Sequence, residues 1–127
     1  MVTSAWFMDI EKQQLTRLTR EDGFHYRNPS WSRDGSNVAL TTNSFMERFQ
    51  LAVMKPDGSD IKHVVLNIQE DEVVMGIWSP DCQKMVVEIE SAELGEVFYD
   101  LLVLDLNSLN ITWLTKTKTV MEVSPDW

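Results

Sequence analysis

The chain has a single cysteine, Cys82, so it can form no internal disulfide and no cysteine-rich zinc site. Its two histidines, His25 and His63, have no Gly-x-Ser-x-Gly elbow to serve, which removes the sequence signature of a serine hydrolase. Gly35 and Gly58 each stand alone in a turn-like segment, and no glycine-rich phosphate loop is present. No apolar run approaches the ~20 residues that span a bilayer, so membrane insertion is not expected. The opening residues, Met1-Val-Thr-Ser-Ala-Trp-Phe-Met-Asp, lack a basic region followed by a long apolar one, and no signal peptide is visible. Positive charge is also short. Eleven Lys and Arg stand against 20 Asp and Glu, a net charge of −9. Nine of those acids fall within residues 66 to 100, where Lys84 is the only base. Such a field repels phosphate backbones and excludes nucleic acid as a partner. What is present is globular: 43% hydrophobic and 24% charged residues over a length of 127, enough for at most one ordinary domain.

The chain repeats itself. With Trp31, Trp78 and Trp127 in one column, Asn28-Pro-Ser-Trp-Ser-Arg-Asp-Gly matches Met75-Gly-Ile-Trp-Ser-Pro-Asp-Cys, and Ser124-Pro-Asp-Trp127 begins the pattern again. The spacings are 47 and 49 residues. In a second column, Asp9, Lys55 and Asp105 each follow an apolar run. Nine residues after each comes Leu18, Val64 or Leu114, then Thr19, Val65 or Thr115. Within one unit the pattern is that of antiparallel strands: Asn37-Val-Ala-Leu-Thr-Thr, Gln50-Leu-Ala-Val-Met, Lys84-Met-Val-Val-Glu-Ile-Glu and Tyr99-Asp-Leu-Leu-Val-Leu alternate and are rich in β-branched or aliphatic residues. Ser32-Arg-Asp-Gly35 and Pro56-Asp-Gly-Ser59 supply the turn chemistry between strands. No 3.6-residue period persists long enough to compete. The expectation is an all-β chain of about four short strands per repeat.

A four-stranded unit of this length in tandem is a β-propeller blade. The strings Asn28-Pro-Ser-Trp-Ser-Arg-Asp-Gly-Ser-Asn-Val-Ala-Leu, Met54-Lys-Pro-Asp-Gly-Ser-Asp, Trp78-Ser-Pro-Asp and Leu15-Thr-Arg-Leu-Thr resemble the repeat of TolB-like propellers, a WD-like Pro-Asp repeat. The same repeat occurs in the propellers of tricorn-type and prolyl oligopeptidase-type peptidases. The fold expected is two complete four-stranded antiparallel blades, at 26–67 and 73–116, with partial blades at both ends. These are a half blade at 1–20 and the first strand of a further blade at 120–127, so that 1–127 is a partial propeller. Propellers close with about 4 to 8 blades. The chain is therefore read as a fragment completed by the remaining blades of a parent chain or by self-association. The resemblance implies a non-catalytic scaffold that binds protein or peptide through a propeller face or the central channel. The alternative is a substrate-gating propeller of a serine peptidase. A periplasmic or cell-envelope location follows from the resemblance alone.

Repetition at equivalent positions is what packing demands, so Trp31 and Trp78 are read as apolar anchors against a neighbouring blade. Cys82 stands where the first copy has Gly35, which predicts a looser or differently twisted second turn. No catalytic, cofactor or metal residues are assigned. His25 and His63 read as ordinary loop or surface histidines. Glu70-Asp-Glu72 and the glutamates at 88, 90, 93 and 96 read as a solvated acidic face, because they lack the spacing of a calcium loop. Met8, Met54, Met75 and Met85 are placed in strands as core filling, and Trp6 and Trp113 as packing or edge cover. Phe24-His-Tyr26, in the link before Asn28, is the candidate binding face.

Overall fold

The computed structural model describes residues 3–19, 23–43, 48–66, 68, 71–116 and 126–127. Ten strands form three antiparallel sheets, with no helix among the described residues. The first sheet pairs β1 (Trp6–Asp9) with β2 (Gln14–Arg17). The second places β3 (His25–Trp31), β4 (Val38–Asn43), β5 (Gln50–Met54) and β6 (Lys62–Val64) side by side in chain order. The third repeats that order with β7 (Glu72–Trp78), β8 (Lys84–Glu93), β9 (Glu96–Asp105) and β10 (Ile111–Trp113). The strand expected at 120–127 lies outside the described residues apart from Asp126 and Trp127.

The sheets stack face to face, which is why β4 is buried on both sides instead of half-buried in alternation. Val38 and Leu40 face the first sheet and join Ala5, Leu18, Tyr26 and Met54 in one core. Ala39 and Leu51 face the other way and join Val73, Trp78, Met85, Val87, Ile89, Leu102 and Leu104 of the third sheet. Every residue from Val38 to Thr42 is therefore buried. A strand covered on both faces gains burial at every position, whatever its parity.

The tryptophan column works by reaching backwards. The indole Nε1 of Trp78 donates to the carbonyl oxygen of Ser30 at 3.0 Å, and that of Trp127 donates to the carbonyl of Ile77 at 2.9 Å. In each case the acceptor is the residue just before the preceding tryptophan. The Trp78 ring fills the gap between the second and third sheets while its only polar atom is satisfied by the neighbouring inner strand. Trp78 is 3% exposed, as expected of an anchor, but Trp31 is 42% exposed. Trp31 does touch the preceding sheet, its ring lying edge-on to Phe7 at 5.5 Å. Within this chain it is therefore half-covered, where Trp78 is buried.

The second turn corrects another expectation. Ser32 N to Asn37 O and Ser79 N to Lys84 O are both 2.9 Å, while Gly35 N to Ser32 O is 2.9 Å and Cys82 N to Ser79 O is 3.0 Å. Cys82 adopts φ +59° beside the +72° of Gly35. The turn is not loosened: the cysteine takes the left-handed conformation, at a cost of about 1–2 kcal/mol for a residue with a Cβ. A second clasp closes the outer strands. Thr19 Oγ1 accepts from Ala5 N at 3.1 Å and Thr115 Oγ1 from Leu101 N at 2.9 Å, which explains the threonine in that column. In the middle unit Val65 replaces it, and Gln50 Oε1 accepts instead from Leu66 N at 3.3 Å.

Candidate functional site

The turn aspartates are committed to their own turns. Asp34 Oδ1 accepts from Ser36 Oγ, Ser36 N and Ser32 Oγ at 2.7, 3.0 and 2.8 Å. Asp81 Oδ1 accepts from Ser79 Oγ at 2.6 Å and Gln83 N at 3.0 Å, and Asp57 Oδ1 from Ser59 Oγ at 2.6 Å and Ser59 N at 2.9 Å. Asp105 Oδ1 takes the backbone N–H of Asn107 and of Ser108, each at 2.9 Å. These donors favour the carboxylate form. The Ser36 hydroxyl holds Asp34 well below the usual range, the Ser59 hydroxyl lowers Asp57, the Ser79 hydroxyl lowers Asp81, and the Ser108 N–H lowers Asp105. They are structural acceptors.

The two histidines make local contacts. His25 Nδ1 accepts a long bond from Thr3 N at 3.4 Å, and the exposed His63 lies 5.5 Å from the Phe24 ring. The Phe24-His-Tyr26 link is not a free binding surface: Tyr26 is 2% exposed and belongs to the core between the first two sheets, with Phe24 packed beside it. The methionines divide. Met54 and Met85 are core, Met75 is half-buried, and Met8 is exposed instead of filling a core. Trp6 is exposed, with the Arg17 guanidinium 6.0 Å from its ring, while Trp113 packs against the core beside Lys116. Among the described residues no three of His, Cys, Asp and Glu come together as a metal-ligand set. Glu70 lies outside the described residues.

Register splits the acidic group. Glu88 is not part of a solvated face as expected: it is 5% exposed, pairs with Leu101 and, with Glu90 opposite Tyr99, lies on the β8–β9 face turned away from the second sheet, where a hydrogen bond to Glu90 raises the Tyr99 phenol. Glu93 and Glu96, opposite each other at the hairpin end, share the face of Val87 and Ile89 that packs toward the second sheet. The feature that sequence reading missed is the length of this hairpin. The ladder between β4 and β5 runs from Val38↔Met54 to Thr42↔Gln50, whereas that between β8 and β9 runs from Lys84↔Asp105 to Glu93↔Glu96. β7 stops at the level of Glu90 and β10 at the level of Leu102. The pairs Ser91↔Phe98, Ala92↔Val97 and Glu93↔Glu96 thus continue as a two-stranded ribbon, about 10 Å beyond the sheet. It ends in Leu94, 99% exposed, and Gly95. Part of the signal was available, since Val97-Phe98-Tyr99 is β-prone, but the apolar alternation of β8 breaks at Glu90-Ser91.

Antiparallel alternation puts the Ser32–Asn37, Ser79–Lys84 and Lys55–Ser59 turns at one end of the stacked sheets. The links that enter each inner strand and the β8–β9 tip lie at the other. Val73 N donates to Phe49 O at 2.9 Å, which ties the start of β7 to the β4–β5 connection at that link end.

No protein-family model matches the chain, and comparison with curated proteins finds no match. Solved structures do match. A protein described as TolB from Agrobacterium tumefaciens superposes with TM-score 0.73 at 21% identity, covering 87% of this chain and 40% of that one. TolB from Acinetobacter baumannii gives TM-score 0.65 at 20% identity, over 88% of this chain and 26% of that one. An oligogalacturonate lyase from Vibrio parahaemolyticus gives 0.68 at 16% identity, over 94% and 31%. The chain has the TolB-like β-propeller fold. It spans well under half the length of these proteins, and its sheets are blades of a partial propeller. In TolB-like terms β3 and β7 are inner strands, β6 and β10 outer strands, and the β8–β9 ribbon is an extension of one blade on the link face.

Proposed function

We propose that the chain is part of a non-catalytic TolB-like scaffold that binds a protein or peptide through the link face of its blades. One observation carries this reading. In a repeat architecture, groups that recur at equivalent positions serve the stack, and a site is sought where one unit departs from the others. The recurring polar groups, namely the turn aspartates, the Nε1 of Trp78 and of Trp127, and the clasping Thr19 and Thr115, have structural partners. The β8–β9 ribbon is the departure. It carries Leu94, and Val97 at 43% exposure, away from any core. A ribbon without a third strand is only marginally stable on its own, so its apolar tip contributes little to folding. Exposed apolar side chains on a rigid frame are the usual material of a protein contact.

The test is to pan a displayed peptide library against the chain and to map the selected peptides by backbone amide shifts. Binders that perturb Ser91–Phe98 and the adjoining links support the proposal. Failure to select any binder, or binders confined to the aspartate-turn end, refutes it. Hydrolase or lyase turnover by the purified chain refutes its non-catalytic part.

A further inference from the structure

The two junctions between sheets are built from equivalent positions, and at the link end they differ in kind. Tyr26 N donates to Thr3 O at 3.2 Å, and Tyr26 pairs with Thr42 across the β3–β4 ladder. One repeat later Val73 N donates to Phe49 O at 2.9 Å, and Val73 pairs with Ile89 across the β7–β8 ladder. Thr3, Tyr26 and Thr42 therefore stand where the next unit has Phe49, Val73 and Ile89. Three side chains with hydroxyl groups replace three that are wholly apolar.

Thr42 lies on the face of β4 that carries Val38 and Leu40 against the first sheet, and it is 2% exposed. Its Oγ1 has no hydrogen-bond partner among the described residues. The Oγ1 of half-buried Thr3 is likewise shut off from solvent and without a partner. The other buried threonines show what the fold does with such a group. Thr19 Oγ1 accepts from Ala5 N at 3.1 Å, and Thr41 Oγ1 donates to Arg27 O at 3.4 Å.

We propose that the link end of the first junction binds a buried water molecule, with the hydroxyls of Thr42 and Thr3 among its partners. A hydroxyl removed from solvent with no partner keeps the full cost of its desolvation, and at the equivalent place the second junction avoids that cost with Ile89. Water removes it, because water and a threonine hydroxyl can each donate and accept. A buried ion would need a compensating charge, which two neutral hydroxyls do not supply. The first junction is then hydrated where the second is closed by hydrocarbon.

The experiment is oxygen-17 magnetic relaxation dispersion on the full chain, which counts long-lived buried water oxygens and is blind to exchanging hydroxyl protons. The dispersion amplitude should fall by one water in Thr42→Val, fall also in Thr3→Val, and persist in Thr42→Ser, which keeps the hydroxyl. Urea unfolding of the same variants supplies a second reading. Thr42→Val preserves the shape of the side chain, so if the hydroxyl is hydrated its loss should lower the folded-to-unfolded ratio about fivefold. If the hydroxyl is dry, the same substitution removes an uncompensated polar group and the midpoint should rise. A raised midpoint in Thr42→Val would overturn the proposal. So would a dispersion amplitude that is unchanged in both valine variants, or a parent chain that holds no long-lived water.

Discussion

Trp31 and Trp78 occupy the same column of the repeat but should differ in what they contribute to stability. A buried tryptophan covers up to about 250 Å². Truncating Trp78, at 3% exposure, leaves on the order of 200 Å² of apolar contact unmade, or roughly 5 kcal/mol at ~25 cal/mol per Å². Partial collapse of the neighbours returns some of that, so Trp78→Ala should cost about 3–5 kcal/mol. Trp31 is 42% exposed and keeps little more than half of its contact, including the edge-on Phe7 ring. Trp31→Ala should therefore cost about 2 kcal/mol. A third variant separates packing from polarity: Trp78→Phe removes the donor to the Ser30 carbonyl and part of the ring, and should cost about 1–2 kcal/mol. The assay is urea unfolding followed by far-UV circular dichroism, because removing an indole changes the fluorescence signal itself. If Trp31→Ala and Trp78→Ala shift the midpoint equally, or if Trp78→Ala costs less than about 1.5 kcal/mol, then the tryptophan column does not hold the sheets together.

Gly35 and Gly58 both sit in turns at positive φ, but a Cβ on Gly58 would strike the Leu18 carbonyl, whereas nothing lies near Gly35. Gly35→Ala should cost about 1–2 kcal/mol and Gly58→Ala distinctly more, as a pair of thermal melts would show. Thr115→Val keeps the shape of the clasp but removes the acceptor of Leu101 N and a donor to the buried Asp100. A loss of about 2 kcal/mol is expected in urea, and no loss would show the clasp to be decorative. Acid should destabilise the chain through its turns. The folded values of Asp34, Asp57, Asp81 and Asp105 lie below the ordinary aspartate value near ~3.9, so their contribution is complete above that value and disappears as the pH falls through the folded values. Urea midpoints should be level from about pH 7 to 5 and fall below that, and a midpoint that rises between pH 5 and 3 would contradict the sign.

The legible part of this protein is the part that recurs. Trp31, Trp78 and Trp127, the Ser-x-Asp turns and the Leu-Thr ends stand out at constant spacing because each meets the same physical need in successive units: a gap to fill, a turn to close, an orphan N–H to satisfy. That need produces an all-β chain of antiparallel sheets. It does not reveal burial, which depends on what lies beyond each face: Trp31 is 42% exposed in this chain and Trp78 3%. Nor does it reveal conformational cost, since Cys82 accepts a glycine conformation because the surrounding turn bonds dictate it.

The candidate site was illegible for the opposite reason. Glu93, Leu94, Glu96 and Phe98 match nothing in the other unit, and in one dimension a surplus of ladder pairs looks like an ordinary run of strand residues ending in acids. Only pairing register shows that β8 and β9 outlast both of their neighbours and that Glu88 and Glu90 face away from Glu93 and Glu96. The seven residues from Glu90 to Glu96 could be shortened to a tight turn without removing a residue from either hydrophobic core. A segment the fold can do without, and which holds a leucine in a left-handed turn between two facing glutamates, is maintained by something other than folding. Contact with a partner, as proposed above, is the role that would account for it.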